Sequence, residues 1–318
     1  MIRLAERTYL EAGRLARDER AVVILPLGAV EQHGPHLPLL VDWLGAEELA
    51  RHVAPHLERA GYRVILAPAL PYGASPLALT WPGTISLSRA TLRRVIVDVV
   101  RSLARHGFRR FVLANYQADP GQLRAMAEAK RALRRGRGAG GRRLMIQFAG
   151  FSPEAASQGV MLDPRILRLA RSPRPAFEWH SGELETALVL ARRPDLVRRS
   201  LARRLPPVWV DFRGALRRGA KRFEEIMPGG LGYFGWPAAG RAATAERALR
   251  LRGRLMAREI IRAFGDGRPA AAGGPARGRA RRRVRKAGLR ATGRSRPSGT
   301  RKSRGSASPA TSHRAARR

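Results

Sequence analysis

The sequence predicts an α/β protein whose mostly parallel sheet is covered by helices on both faces. Three observations predict it. Four short stretches, within residues 21–27, 64–67, 110–114 and 144–148, are apolar almost throughout, the pattern of strands buried on both sides. Stretches with helical spacing separate them. Polar loops containing Gly, Pro, Asn or Asp follow the first three, and ligands of open α/β sheets bind at that end.

The elements follow in order. Residues 8–18 have apolar positions at helical spacing and read as an opening helix. Residues 21–27 are the first strand, and Gly28, Gly34, Pro35 and Pro38 keep the next segment from becoming helix. Leu44, Leu49, Val53 and Leu57 place a helix over 44–57. Residues 64–67 are the second strand, and 68–73 are loop. Ser88 is a good N-cap for a helix carrying Leu92, Val95, Val99 and Leu103, which Gly107 ends. Residues 110–114 are the third strand, 115–120 a loop, 121–134 a helix, 135–142 a flexible connection and 144–148 the fourth strand. Asp163 and Pro164 open a short helix over 164–170. Residues 178–186 run into a helix over 187–191. Segment 205–240, with Trp209, Phe212, Phe223, Tyr233, Phe234 and Trp236, reads as a long loop layer able to wall a pocket. Residues 244–264 form a closing helix.

The chain has 318 residues, enough for a substantial core. Its 62 Lys and Arg against 24 Asp and Glu give a net charge of +38. Only Lys130, Lys221, Lys286 and Lys302 are lysines, and the bias to Arg, Ala, Gly and Pro reads as the mark of a GC-rich genome as much as of a selected function. The absence of Cys excludes disulfides, thiolate metal sites and a Cys nucleophile. Apolar runs are too short to span a bilayer. Residues 1–6 lack the layout of a secretory signal, so a cytoplasmic protein with no membrane partner is expected. After Phe264 no aromatic residue remains, and 17 Arg and Lys lie between Arg268 and Arg318. Residues 265–318 are therefore expected to be a disordered basic tail beside a folded domain of residues 1–264. Residues 268–318 could hold nucleic acid through its phosphates. Without interleaved aromatics such binding would be non-specific, and a merely solubilising extension is the alternative.

Three segments carry chemistry. Glu31, His33 and Asp42 follow the first strand within a dozen residues. Oxygen and imidazole donors suit Zn, Mn or Fe, and such a metal lowers the pKa of water toward neutrality. The plainer reading is a pair of loop-capping histidines with solvated acids. His180, Glu183 and Glu185 could supply a ligand and a general acid or base. The two acids are two apart, so if helical they do not share a face, and acids in a first helical turn also favour the helix dipole. Residues 115–119 form a polar loop at a strand end, suited either to a site or to a simple turn before Pro120.

Taken together, these segments resemble the creatininase family (creatinine amidohydrolases). Glu31-Gln32-His33-Gly34-Pro35-His36-Leu37-Pro38 with Asp42 resembles the family's opening motif, Pro71-Tyr72-Gly73 with Trp81-Pro82-Gly83-Thr84 its second block, and His180-Ser181-Gly182-Glu183-Leu184-Glu185-Thr186 its His-Ala-Gly-Glu block. The resemblance runs from about residue 5 to about residue 262. It implies a three-layer α/β/α subunit, assembly into homo-oligomers, and a divalent-metal site that hydrolyses C–N bonds in a small cyclic amide, a formamide or the end of a modified peptide. By the motifs, Glu31 would bind one metal, His33 the other, and Asp42 would bridge them. His180 would transfer protons, and Glu185 would act as a ligand or orient one. His36, Tyr72, Trp81, Tyr116 and Trp179 are candidates for the substrate pocket.

The chain also departs from the family pattern. Gln117 stands where the family has a His ligand, Tyr116 where it has Gly, Asp119 where some members place a ligand Glu, and Ala78 where many have His. An amide oxygen is a poorer ligand than imidazole. The site built on His33, Asp42 and either Asp119 or Glu185 is therefore expected to survive, with one metal favoured over two. A metal-dependent amidohydrolase is the first expectation. A degenerate member that keeps the fold and pocket without catalysis is the alternative.

Overall fold

The structure, a computed structural model, describes residues 1–136, 138–158 and 162–265. The expected tail lies outside these residues from 266 on. Strands β1 (Ile2–Arg3), β2 (Ala21–Leu27), β3 (Arg63–Leu66), β4 (Arg110–Asn115) and β5 (Met145–Gly150) form one sheet. Its order is β1-β3-β2-β4-β5, and every neighbouring pair is parallel.

The sheet is covered as its sequence demands. Helices α1 (Tyr9–Ala16), α2 (Val41–Arg59), α3 (Arg89–Arg105) and α4 (Pro120–Arg135) alternate with the strands. Val22 and Ile24 of β2 pack with Ala50, Val53 and Leu57 of α2. The intervening Val23, Leu25 and Leu27 pack with Leu92, Ile96 and Val100 of α3 and Met126 and Leu133 of α4. Both faces of β2 are buried, which is why its sequence shows no alternation. Short helices α5 (Pro153–Ser157) and α6 (Pro164–Leu167) lead to α7 (Glu183–Arg192). Then come α8 (Arg199–Arg204), α9 (Phe212–Arg217), α10 (Phe223–Ile226) and the long α11 (Ala242–Phe264). Helix α11 adds Ala257 and Ile260 to the α2 side of the sheet.

The topology fixes where a site can be. Chain from β2 crosses through α2 to β3 on one side, and chain from β4 crosses through α4 to β5 on the other. The two crossovers use opposite faces, as right-handed connections require. The loops leaving β2 and β4 part at their carboxyl ends and open a crevice there.

Several details differ from the sequence reading, among them the start of α7 at Glu183 rather than 187. Strand β1 is a fifth strand, and two residues are too few to show a period. Helix α2 begins at Val41 rather than 44, which moves Asp42 out of the loop into the first helical turn. Segment 205–240 is not all loop, since it contains α9 and α10. Among the described residues no helix is long and apolar enough to cross a membrane.

Candidate metal centre

The loop after β2 and the start of α2 meet backbone to backbone. A Cβ on Gly28 would lie 2.4 Å from Trp43 Cα, so only glycine permits this approach. The contact brings Asp42 beside His33. His33 Nδ1 lies 3.1 Å from the Glu31 carbonyl oxygen and donates to it. In the neutral ring Nε2 therefore carries the lone pair. It points between two carboxylates, 3.7 Å from Asp42 Oδ1 and 3.7 Å from Glu185 Oε2. His33 Nε2 and Asp42 Oδ2 are buried without a hydrogen-bond partner, and buried polar atoms are rarely left so unless something binds them.

The electrostatics match. Burial lowers the His33 pKa, but Asp42, Glu185 and Glu31 outweigh it and lift it to about 10. Burial, with Asp42 adding, pushes the Glu185 carboxyl up to about 7 against the pull of His33 and the Ser181 N–H. Three acids and one imidazole packed this closely need positive charge; Arg252 contributes a little at Glu185, and without a metal protons supply the rest.

His180 comes from a different part of the chain. It forms an antiparallel bridge with Phe234, and its neighbour Ser181 takes a left-handed φ of 55°. That turn lets the Ser181 N–H donate to Glu185 Oε2 at 2.5 Å. His180 Nε2 donates to the Gln32 carbonyl oxygen at 2.9 Å. Its Nδ1 lone pair faces Glu31 Oε1 at 3.8 Å. Burial holds the His180 pKa well below its usual value, and His33 and His36 add to this. Glu31, His33 and His180 form one group of converging donors; His33, Asp42 and Glu185 form another.

The profile of the creatininase family, described as creatinine amidohydrolase, matches residues 5–261. The chain belongs to the creatininase family. It is 33% identical over 202 residues to the creatinine amidohydrolase of Pseudomonas putida, covering 61% of this chain and 73% of that one. It is 32% identical over 232 residues to the mycofactocin precursor peptide peptidase of Mycobacterium tuberculosis, covering 71% and 78%. A solved tryptophan-to-phenylalanine mutant of creatininase superimposes with a TM-score of 0.62 at 27% identity, over 83% of this chain and 100% of the other. Other solved creatininases include a manganese form and a mutant of the Zn–Zn type. The family fixes the fold and makes the chain a creatininase-family amidohydrolase.

The creatininase motifs do not all end up at the centre. The Gln117 side-chain amide donates to Glu31 Oε2 and, at 2.9 Å, to Ser75 Oγ, while its oxygen accepts from the Asp119 N–H at 2.9 Å. The backbone donor at Asp119 fixes which way the amide points, so Gln117 holds Glu31 and offers no lone pair to a metal. Asp119, expected as a ligand, belongs to neither donor group. It caps α4, with Oδ1 accepting from Gly121 N–H and Oδ2 from Leu77 N–H. Glu183, expected to be catalytic, is fully buried and accepts from the backbone N–H groups of Arg171 and Ser172. Because α7 is helical from Glu183 onward, Glu183 and Glu185 point apart, and only Glu185 faces His33.

The pocket candidates divide similarly. Trp179 lines two cavities that also reach His180, of about 690 and about 300 Å³, and Tyr116 lines the smaller. His36 lines neither: its Nε2 pairs with Thr186 Oγ1 at 2.9 Å in the interior. Tyr72 is 44% exposed and away from both cavities, and Trp81 borders neither. Ala78 is buried in an apolar cluster with Phe212, Phe223 and Phe234. Phe223 packs 4.8 Å from the His180 ring and walls the larger cavity.

Two participants were missed in the sequence. Ser75 anchors Gln117, and nothing in its loop marks it. Arg252 lines the smaller cavity, and its signal was present. It sits on the buried stripe of α11 with Ala245, Leu249 and Ile260, where a charge is out of place.

Proposed function

We propose that the chain hydrolyses an amide C–N bond with one divalent cation held by His33, Asp42 and Glu185. The observation that carries this is the pair of buried, unpartnered donor atoms His33 Nε2 and Asp42 Oδ2, with Glu185 converging on them. Nitrogen and carboxylate donors suit Zn, Mn or Fe. The manganese and Zn–Zn forms of solved creatininases support the same choice. When bound, the ion supplies Lewis acidity and lowers the pKa of water.

One ion rather than two follows from His33. His33 is the one residue common to both donor groups, and with its Nδ1 spent on the Glu31 carbonyl it has only Nε2 to offer. One lone pair serves one ion. His180, uncharged and with Nδ1 free toward Glu31, is placed to take a proton from water and return it to the leaving nitrogen. Phe223 shields that ring from solvent. The names of the relatives, one acting on creatinine and the other on a precursor peptide, support C–N hydrolysis and leave a small cyclic amide, a formamide or a modified peptide end as the substrate. A competing reading, a creatininase fold that retains its pocket for binding only, rests on Gln117 tying up Glu31.

Elemental analysis of the purified chain separates the two. One Zn, Mn or Fe per chain with hydrolysis of amide substrates is expected. No tightly bound metal and no gain on reconstitution would overturn the proposal, and two ions per chain would overturn its stoichiometry. Gln117→His, which releases Glu31 from its amide partner, is expected to raise the count above one.

A pH dependence follows as well. Glu185 has a folded pKa raised from 4.5 to about 7, and His33 one raised from 6.5 to about 10. For both, the metal-free folded chain binds more protons than the unfolded chain, so each contributes stability that is lost as pH rises through the folded value. A bound metal replaces those protons. The stability gap between metal-loaded and chelator-treated protein, measured by urea unfolding, should therefore widen from pH 4.5 to pH 10. A gap that narrows over that range contradicts the assignment.

A further inference from the structure

Arg252 is a buried guanidinium with no ion pair among the described residues, its charge exerting only a weak pull on Glu185. It is 4% exposed, and its Nε and Nη2 have no hydrogen-bond partner. No carboxylate among the described residues lies within ion-pair distance of it. Nearby acids are engaged elsewhere: Asp163 pairs with Arg165 at 2.7 Å, Glu154 with Lys130 at 2.9 Å, and Glu185, which Arg252 reaches only through its field, faces His33. What holds the guanidinium is two aromatic faces, with its Cζ 4.8 Å from the Tyr116 ring centroid and 5.2 Å from that of Phe151. Cation–π contact leaves the edge of the fork, with its N–H groups, free to bind.

Arg252 is one of the residues lining a cavity of about 300 Å³ that Glu185 and His180 also line. The remaining lining is mostly apolar and aromatic, including Tyr116, Phe151, Leu162 and Trp179. A buried, unpaired charge is costly unless a partner arrives. The geometry of a guanidinium fork matches a carboxylate, which accepts two parallel N–H bonds.

We infer that Arg252 binds a carboxylate of the substrate, so that the chain acts on amides whose apolar or aromatic body bears a free carboxylate, as in an N-acyl amino acid or a peptide ending. The inference names the substrate class for the hydrolysis proposed above and rests on that reading for the reaction, but not for the binding. It also explains Tyr116. The aromatic side chain at that position supplies one of the two faces that keep the guanidinium in place without an ion pair.

The test uses the full-length chain in its metal-loaded form and two probes, N-benzoylglycine and N-benzoylglycinamide, which differ only in the carboxylate. Calorimetry is expected to show the carboxylate binding at least ~20-fold more tightly than the carboxamide, as a desolvated charge-assisted pair warrants. Arg252→Met should abolish that preference while remaining folded, with a melting temperature no lower than that of the wild type, because it removes an unpaired buried charge. Arg252→Lys, which keeps the charge but loses the fork, should retain only part of it. Equal affinity for the two probes, no measurable binding of the carboxylate, or a preference that survives Arg252→Met would overturn the inference. Assaying both probes for hydrolysis keeps the two claims apart. Arg252-dependent binding without turnover of any amide would sink the hydrolase reading alone. Turnover without a carboxylate preference would sink this inference alone.

Discussion

A His33→Ala chain is expected to bind no divalent metal tightly and to lose at least ~10³-fold in kcat/KM, about 4 kcal/mol of transition-state stabilisation. The size follows from His33 being the one residue in both donor groups. Removing Asp42 or Glu185 leaves an imidazole and one acid facing each other, whereas removing His33 leaves carboxylates alone. His33 also opposes the strong upward push that burial, with Asp42 adding, gives the Glu31 carboxyl. The variant should therefore hold extra protons rather than a metal. Elemental analysis and kcat/KM on the same preparation provide the check, with a thermal melt to confirm folding. A variant that keeps one ion per chain at wild-type activity would show that the ion sits elsewhere.

Glu183→Ala should do the opposite, damaging the fold and sparing the chemistry. Oε1 of Glu183 accepts from the Arg171 N–H at 2.8 Å, and Oε2 accepts from the N–H groups of Arg171 and Ser172 at 2.7 Å each. Alanine leaves both backbone donors unsatisfied and empties the volume of a fully buried side chain. A cost of about 3 kcal/mol is expected, from two unpaired buried donors that had bonded a carboxylate. In a domain of this size that lowers the melting temperature by roughly 6–12 °C. Because Glu183 faces away from His33, kcat/KM of the folded protein should stay within about tenfold of wild type. A stable variant with activity lost by orders of magnitude would return Glu183 to the reacting groups.

These two glutamates show how far the sequence could be read. Spacing alone shows that Glu183 and Glu185 point apart, so that at most one meets the metal centre. Which one is decided by residues 171–172, whose free backbone donors arrive from a preceding segment, and no local pattern announces that. The strands were legible for a simple reason. With both faces buried, β2 and β4 can contain little but apolar residues. The His33–Asp42 pairing was legible through the motif, although the start of α2 was placed three residues late. Gln117 was visible as a departure, but its consequence was not. The amide does not weakly replace a ligand; it turns inward to hold Glu31, and that depends on Ser75 from a loop forty-two residues earlier. Tyr72 and Trp81 belong to the block that resembles the family's second motif, yet neither lines a cavity beside His180.

Tyr116 and Gly45 leave a mark of a different kind. A Cβ on residue 45 would lie 2.3 Å from Cγ of the Tyr116 ring, so the aromatic residue fits only because α2 has no side chain there. This makes the order of ancestral steps asymmetric. A lineage could acquire glycine at 45 first and carry it at a modest loss of helix propensity, about 1 kcal/mol, then fill the space with an aromatic ring. The reverse order would have passed through a clash. Any relative with a tyrosine or phenylalanine at the position of Tyr116 should therefore carry glycine at the position of Gly45, whereas relatives with glycine at the first position are free at the second.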